Sequence, residues 1–143
     1  MHKLLLAAAV IVGSGPAAGP ATTSPGPASS SVSTQVVRTA QTLSGQALRL
    51  PQGKAEMVAG TVEIPAGGHT TIHQHPWSRF VYVERGPLKI VNEDTRQVDV
   101  LQTGQVFAEV VAQWHQGHAL GPEGARVVVI DVVPPGESNM KMR

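Results

Sequence analysis

Cysteine is absent from the 143 residues. That excludes disulfide frameworks, thiolate metal sites, thiol nucleophiles and a lipidated-cysteine anchor. Aromatic residues make up 3% and charged residues 15% of the chain. Neither a basic stripe nor aromatic interleaving is present, which argues against a nucleic-acid partner. No window keeps a helical period over three turns, and no internal repeat is visible. The formal net charge is +1, from 11 basic and 10 acidic residues; without Lys3 the two signs cancel. The net charge therefore gives no reason for attachment to a membrane surface.

What is present begins with the first residues. Met1-His2-Lys3 is a short positive start, Leu4 to Val12 is apolar, and small residues follow through Gly15-Pro16-Ala17-Ala18-Gly19-Pro20-Ala21. Positive start, short apolar centre and small-residue end are the parts of a secretory signal. The apolar run is too short for a bilayer-spanning helix, which needs about 20 residues. The expectation is a signal peptide over residues 1–21, cleaved after Ala17 or Ala21. An exported protein follows, periplasmic or extracellular, with no membrane span after processing. Ala17 to Ser33 is almost all Pro, Ala, Gly, Ser and Thr, too poor in large apolar side chains to offset the entropy of ordering. Residues 22–37 are accordingly expected as a low-complexity linker, 38–136 as one domain and 137–143 as a tail.

Within the domain, the segments 56–64, 70–75, 80–84, 88–91, 97–101, 106–111 and 125–133 predict strands. They are short, rich in Val, Ile, Thr and Phe, and separated by Gly, Pro or Asn/Asp turns such as Asn92-Glu93-Asp94-Thr95. Regularly spaced short strands mean a sandwich or barrel, so the expected class is all-β. Val127 to Val133 is apolar on both faces apart from Asp131 and is expected inside a sheet.

Five of the six histidines fall within fifty residues: His69, His73, His75, His115 and His118. In a strand, residues two apart share a face, so His73 and His75 project together and form half a site for a transition metal. Alone, such a pair equally fits two surface histidines. The surroundings add more. Gly67 precedes His73 by six positions, Arg79 and Gly86 follow the pair, and Gly104 stands eleven residues before His115. This arrangement resembles the two motifs of the cupin superfamily, and the resemblance runs from about Gln41 to Val133. It implies a single RmlC-like, jelly-roll β-barrel with His73, His75 and His115 pointing into its mouth as ligands of one divalent ion (Fe, Mn, Zn, Ni or Cu). A small-molecule ligand and a homodimer are further implications of the family.

The chain departs from the motif in ways that bear on function. Arg79 stands where the family usually has its metal-binding glutamate, and Ala112 near the usual glycine before the second-motif histidine. A cation beside a divalent ion opposes binding unless something neutralises it. Arg79 shares a face with Val81 and Val83; it either holds a substrate anion or extends to the barrel mouth. Glu109 interrupts an apolar strand. It is the catalytic candidate, with three inward roles open to it: fourth ligand, partner of Arg79 or general base. The alternative for Glu109 is the solvated outer face. Trp114 is a candidate for substrate contact, as is Trp77, while Phe107 beside them fits core packing equally well. His69 and His118 are expected at the surface, and Asp131 on a backbone donor or in solvent. Two functions remain: a metal-dependent oxygenase, isomerase or lyase acting on a small organic acid, or a non-catalytic binding protein with a degenerate, even metal-free, site.

Overall fold

The computed structural model describes residues 30–143. The expected signal peptide and the linker up to residue 29 lie outside the described residues, and 30–37 carry no regular structure. Nine strands follow: β1 (Glu56–Ile64), β2 (His73–Gln74), β3 (Arg79–Arg85), β4 (Leu88–Asn92), β5 (Val98–Leu101), β6 (Val106–Ala108), β7 (His115–Ala119), β8 (Ala125–Val133) and β9 (Lys141–Met142). There is no helix among the described residues. The strands form two antiparallel sheets, one ordered β1-β8-β3-β6 and the other β5-β4-β7-β2-β9.

Alternation sets what each sheet faces. In β3 the inward residues are Arg79, Val81 and Val83, and in β4 they are Leu88, Ile90 and Asn92, all buried. Ile64, Val81, Val83, Leu88, Ile90, Leu101, Phe107 and Val127 form the apolar core. Their burial is the main favourable term, at about 1.5–3 kcal/mol for each large aliphatic side chain. The core occupies one part of the inter-sheet space. The remainder is lined by the polar end of the same faces, with Arg79 and Asp131 from the first sheet and His73 and His115 from the second.

Two of the motif glycines have a backbone reason. Gly67 has φ +69° and Gly104 φ +88°, a region in which a Cβ is strained. Each turn redirects the chain before a stretch that carries site residues.

The strand expectations hold with four changes. The stretch expected over 70–75 is regular only at His73–Gln74, and that over 106–111 leaves the ladder after Ala108. β7 was not expected, because His-Gln-Gly-His-Ala has no β-branched residue; the alternation of buried His115, Gly117 and Ala119 is what marks it. Residues 137–143, expected as a tail, instead supply β9 and the buried Asn139. β9 adds to the open edge of β2, satisfying backbone groups that would otherwise lack partners.

Candidate metal centre

Strands of both sheets bring the polar groups together. Arg79 opens β3 and lies opposite Asp131 of β8. On its other side the Glu109 amide donates to the Arg79 carbonyl (2.9 Å), just past the end of β6. From the second sheet, His73 of β2 lies directly opposite His115 of β7. His75, one residue past β2, bridges to Val111. One donor atom from each of His73, His75, Glu109 and His115 lies within 4.8 Å of the others, and all four side chains are buried. The pairwise ring-centroid distances of the three imidazoles are 4.9, 4.5 and 4.9 Å.

Each imidazole is oriented from behind by a carbonyl. His73 Nδ1 donates to Thr71 O (2.7 Å), His75 Nδ1 to Asn139 O (2.6 Å) and His115 Nδ1 to Gln113 O (2.9 Å). A carbonyl can only accept, so each Nδ1 carries the proton and each Nε2 presents a lone pair to the centre. This is the outer-shell arrangement that fixes the tautomer of a metal-ligating histidine.

Glu109 Oε2 stands 2.8 Å from His75 Nε2 and 3.7 Å from His115 Nε2. None of these three buried atoms has a hydrogen-bond partner among the described residues. Lone pairs facing one another repel, and each buried unsatisfied polar atom costs about 1–3 kcal/mol. Three such atoms rival a large part of a typical domain stability of ~5–15 kcal/mol. A cation removes that penalty. Three imidazole nitrogens and one carboxylate oxygen are a donor set suited to a first-row divalent ion. The residues therefore fit a metal.

Without a metal, a proton takes over part of this role. Burial pushes the His115 imidazole down, but the Glu109 carboxylate and its charge outweigh this and raise it. Burial pushes Glu109 up, yet His115 and His75 hold its carboxyl well below the usual range. His73 is lowered, by burial first and by the neighbouring His115 and His75, against the bond to Thr71 O, which raises it. It is neutral near pH 7.

Arg79 is neutralised, though not by the residue expected. Its Nε donates to Asp131 Oδ1 (2.9 Å) and its Nη2 to Asp131 Oδ2 (2.6 Å). Burial works against the guanidinium charge, but these bonds and the field of Glu109 raise its pKa. Asn139 Nδ2 donates to the same Asp131 Oδ1 at 2.6 Å, and Asn139 Oδ1 accepts from the Trp77 amide at 2.9 Å. Asp131, expected on a backbone donor or in solvent, is thus the counter-ion. The reason is register: it falls opposite Arg79 on the inner face. Glu109 is consequently free to meet the histidines.

The centre opens on a cavity of about 220 Å³ lined by His73, Arg79, Glu109, Thr70, Thr71 and mostly aliphatic side chains. Met140 and Met142 from the C-terminal segment line it as well. Trp114 does not line it, contrary to expectation; the Arg143 guanidinium lies 5.9 Å from its ring. Trp77 is covered by Arg49 at 5.0 Å, and Phe107 belongs to the core. His69 and His118 pair with each other away from the centre, ring centroids 5.5 Å apart. Asn139 is the residue that sequence reasoning missed; it is one polar residue among Glu137, Ser138 and Lys141 in a stretch without strand character.

The Cupin domain family profile matches residues 60–131, about half of the chain. No curated protein sequence matches the chain. Among solved structures, it is similar to the BH2720 protein of Bacillus halodurans, at 16% identity and a TM-score of 0.50, over 61% of this chain and 69% of that one. It is similar to an oxalate decarboxylase of Lactobacillus farciminis solved as a formate complex, at 23% identity and a TM-score of 0.51. A third likeness is to the DMSP lyase DddQ of Ruegeria pomeroyi, at 19% identity and a TM-score of 0.51. The alignments cover 60% of this chain in both cases, but only 26% of the decarboxylase and 42% of the lyase. At these identities the likeness establishes a shared fold.

Proposed function

Because the chain belongs to the cupin family through its match over residues 60–131, we propose that it is a metal-binding cupin with His73, His75, His115 and Glu109 as ligands. The observation that carries this reading is the convergence of His75 Nε2, His115 Nε2 and Glu109 Oε2 on one buried point with no other partner. Glu109 takes the part of the glutamate that position 79 lacks, reaching the centre from β6 instead of β3. A bound divalent ion would supply Lewis acidity, polarising a carbonyl or carboxylate oxygen of a small organic acid.

The chain's own residues do the rest. The three carbonyl-bound Nδ1 groups hold the imidazoles in the ligating tautomer. The aliphatic walls exclude water and so strengthen every charge interaction inside. Arg79 offers a donor to the substrate. Among the described residues no carboxylate lines the cavity except Glu109, and as a ligand it is poorly placed to act as a general base. This favours chemistry centred on the ion over side-chain proton transfer. It also keeps a non-catalytic binding protein as the second reading. The positive start, apolar run and small-residue end of residues 1–21 support export to the cell envelope.

The experiment is elemental analysis of the mature protein purified without an affinity tag, beside the His73→Ala and Glu109→Gln variants. One equivalent of a first-row metal, lost in both variants, supports the reading. A folded wild-type protein that takes up no metal when dialysed against zinc, iron or manganese sinks it.

A further inference from the structure

Asp131 occupies one edge of the Arg79 guanidinium, accepting from Nε and Nη2. Nη1 takes no part in that pair, and the side chain, only 9% exposed, lines the cavity. A guanidinium carries five N–H donors. The side-on, two-point grip through Nε and Nη2 is already used by Asp131. What remains for a ligand is the pair of N–H donors on Nη1 and the second on Nη2.

Charge bookkeeping narrows the ligand further. Arg79 and Asp131 cancel, and three neutral imidazoles add nothing. Glu109 leaves a divalent ion with one uncompensated positive charge. A monoanion makes the interior neutral. A dianion leaves an excess negative charge in a barrel walled by Val62, Ile64, Leu88, Ile90, Val127 and Val129, which is costly. No Phe, Tyr or Trp lines the cavity among the described residues. Its volume of about 220 Å³ corresponds to roughly seven waters at ~30 Å³ each, room for a short chain.

Building on the metal reading above, we propose that the cavity takes a small aliphatic monocarboxylate, its head between Arg79 Nη1 and the metal centre and its tail along the valine and isoleucine walls, with the Arg79–Asp131 pair setting the charge selected. Without metal the interior holds no uncompensated positive charge, so a carboxylate gains far less there. Metal and carboxylate binding are therefore coupled, each strengthening the other by the same factor.

The test is calorimetric titration of the zinc-loaded protein, its zinc content measured first, with pentanoate, pentanamide and glutarate. Pentanoate is expected to bind about tenfold or more tighter than either of the others, and not measurably to the zinc-free protein. In the Arg79→Gln/Asp131→Asn double variant, which keeps the net charge, zinc should stay bound while pentanoate weakens by roughly tenfold. Asp131→Asn alone adds one positive charge and should shift preference toward glutarate. If that single variant does not fold, the double variant decides. Pentanamide binding as well as pentanoate, equal pentanoate binding without zinc, or an unaffected double variant would each overturn the proposal while leaving the metal reading intact. A protein that holds no zinc overturns the metal reading itself, and this proposal with it.

Discussion

His75 Nδ1 donates to the carbonyl of Asn139 at 2.6 Å across 64 positions of sequence. That bond ties a metal-ligand candidate to the C-terminal segment. The Asn139 side chain in turn holds Asp131 and the Trp77 amide, so one residue links the ligand cluster to the Arg79 ion pair. Asn139→Ala frees the carbonyl by removing both side-chain anchors. The expected outcome is a 10–100-fold loss of zinc affinity, roughly the range for outer-shell partners, with the far-ultraviolet dichroism unchanged. Competition with a chromophoric chelator measures it, and an unaltered affinity would show that the clasp does not position His75.

Arg79→Glu would install the glutamate usual in the family, and simple motif logic says it should tighten metal binding. The structure predicts otherwise, because the new carboxylate would face Asp131 with Glu109 on its other side. Breaking a buried ion pair costs about 3–5 kcal/mol, and urea denaturation should register a loss of that order. Replacing both partners, as Arg79→Met/Asp131→Leu, should change stability far less. A stable Arg79→Glu protein with improved zinc affinity would contradict this account.

Metal binding should weaken as pH falls. In the metal-free protein the His115 pKa is raised by Glu109, so its stabilising protonation is complete below about pH 6.5 and is lost as pH rises through the raised value. Glu109, held low, contributes stability above the ordinary carboxyl range that disappears only as pH falls through its lowered value. A metal must displace the His115 proton. The rise in melting temperature on adding zinc should therefore grow from pH 5 to pH 8, as read by calorimetric scans at fixed metal concentration. A shift that is flat across that range, or larger at pH 5, would refute it.

Ala112 sits in the left-handed region at φ 52°, between Glu109 and His115, with its amide donating to the His75 carbonyl at 2.8 Å. A Cβ there costs ~1–2 kcal/mol, against the ~0.5–1 kcal/mol of extra chain entropy a glycine loses on folding. Ala112→Gly should therefore stabilise the protein by about 0.5–1 kcal/mol without altering zinc stoichiometry. A midpoint in urea that moves down instead would count against strain at this position.

The parts of this protein that were legible in sequence are those governed by local periodicity. Strand alternation placed His73 with His75, and Arg79 with Val81 and Val83; the turn glycines and the eleven-residue step from Gly104 to His115 marked the second limb of the site. Glu109 was visible as a charge in an apolar run, but its destination was open. Whether it met Arg79 or the histidines depended on which residue lay opposite Arg79 on β8, a matter of register between strands some fifty positions apart.

Composition and pattern alone determined the all-β class and the exclusion of thiol chemistry, because each follows from residue type and short-range spacing, while the resemblance to the cupin motifs singled out the three histidines. Only the tertiary structure decided that Asp131 is the counter-ion of Arg79, that Trp114 does not line the cavity, and that Asn139 to Met142 close the site from behind. Those outcomes depend on which edges of β2 and β8 are occupied. An edge is chosen by the free energy of the whole sheet, in which each unpaired backbone group and each buried charge must find a partner.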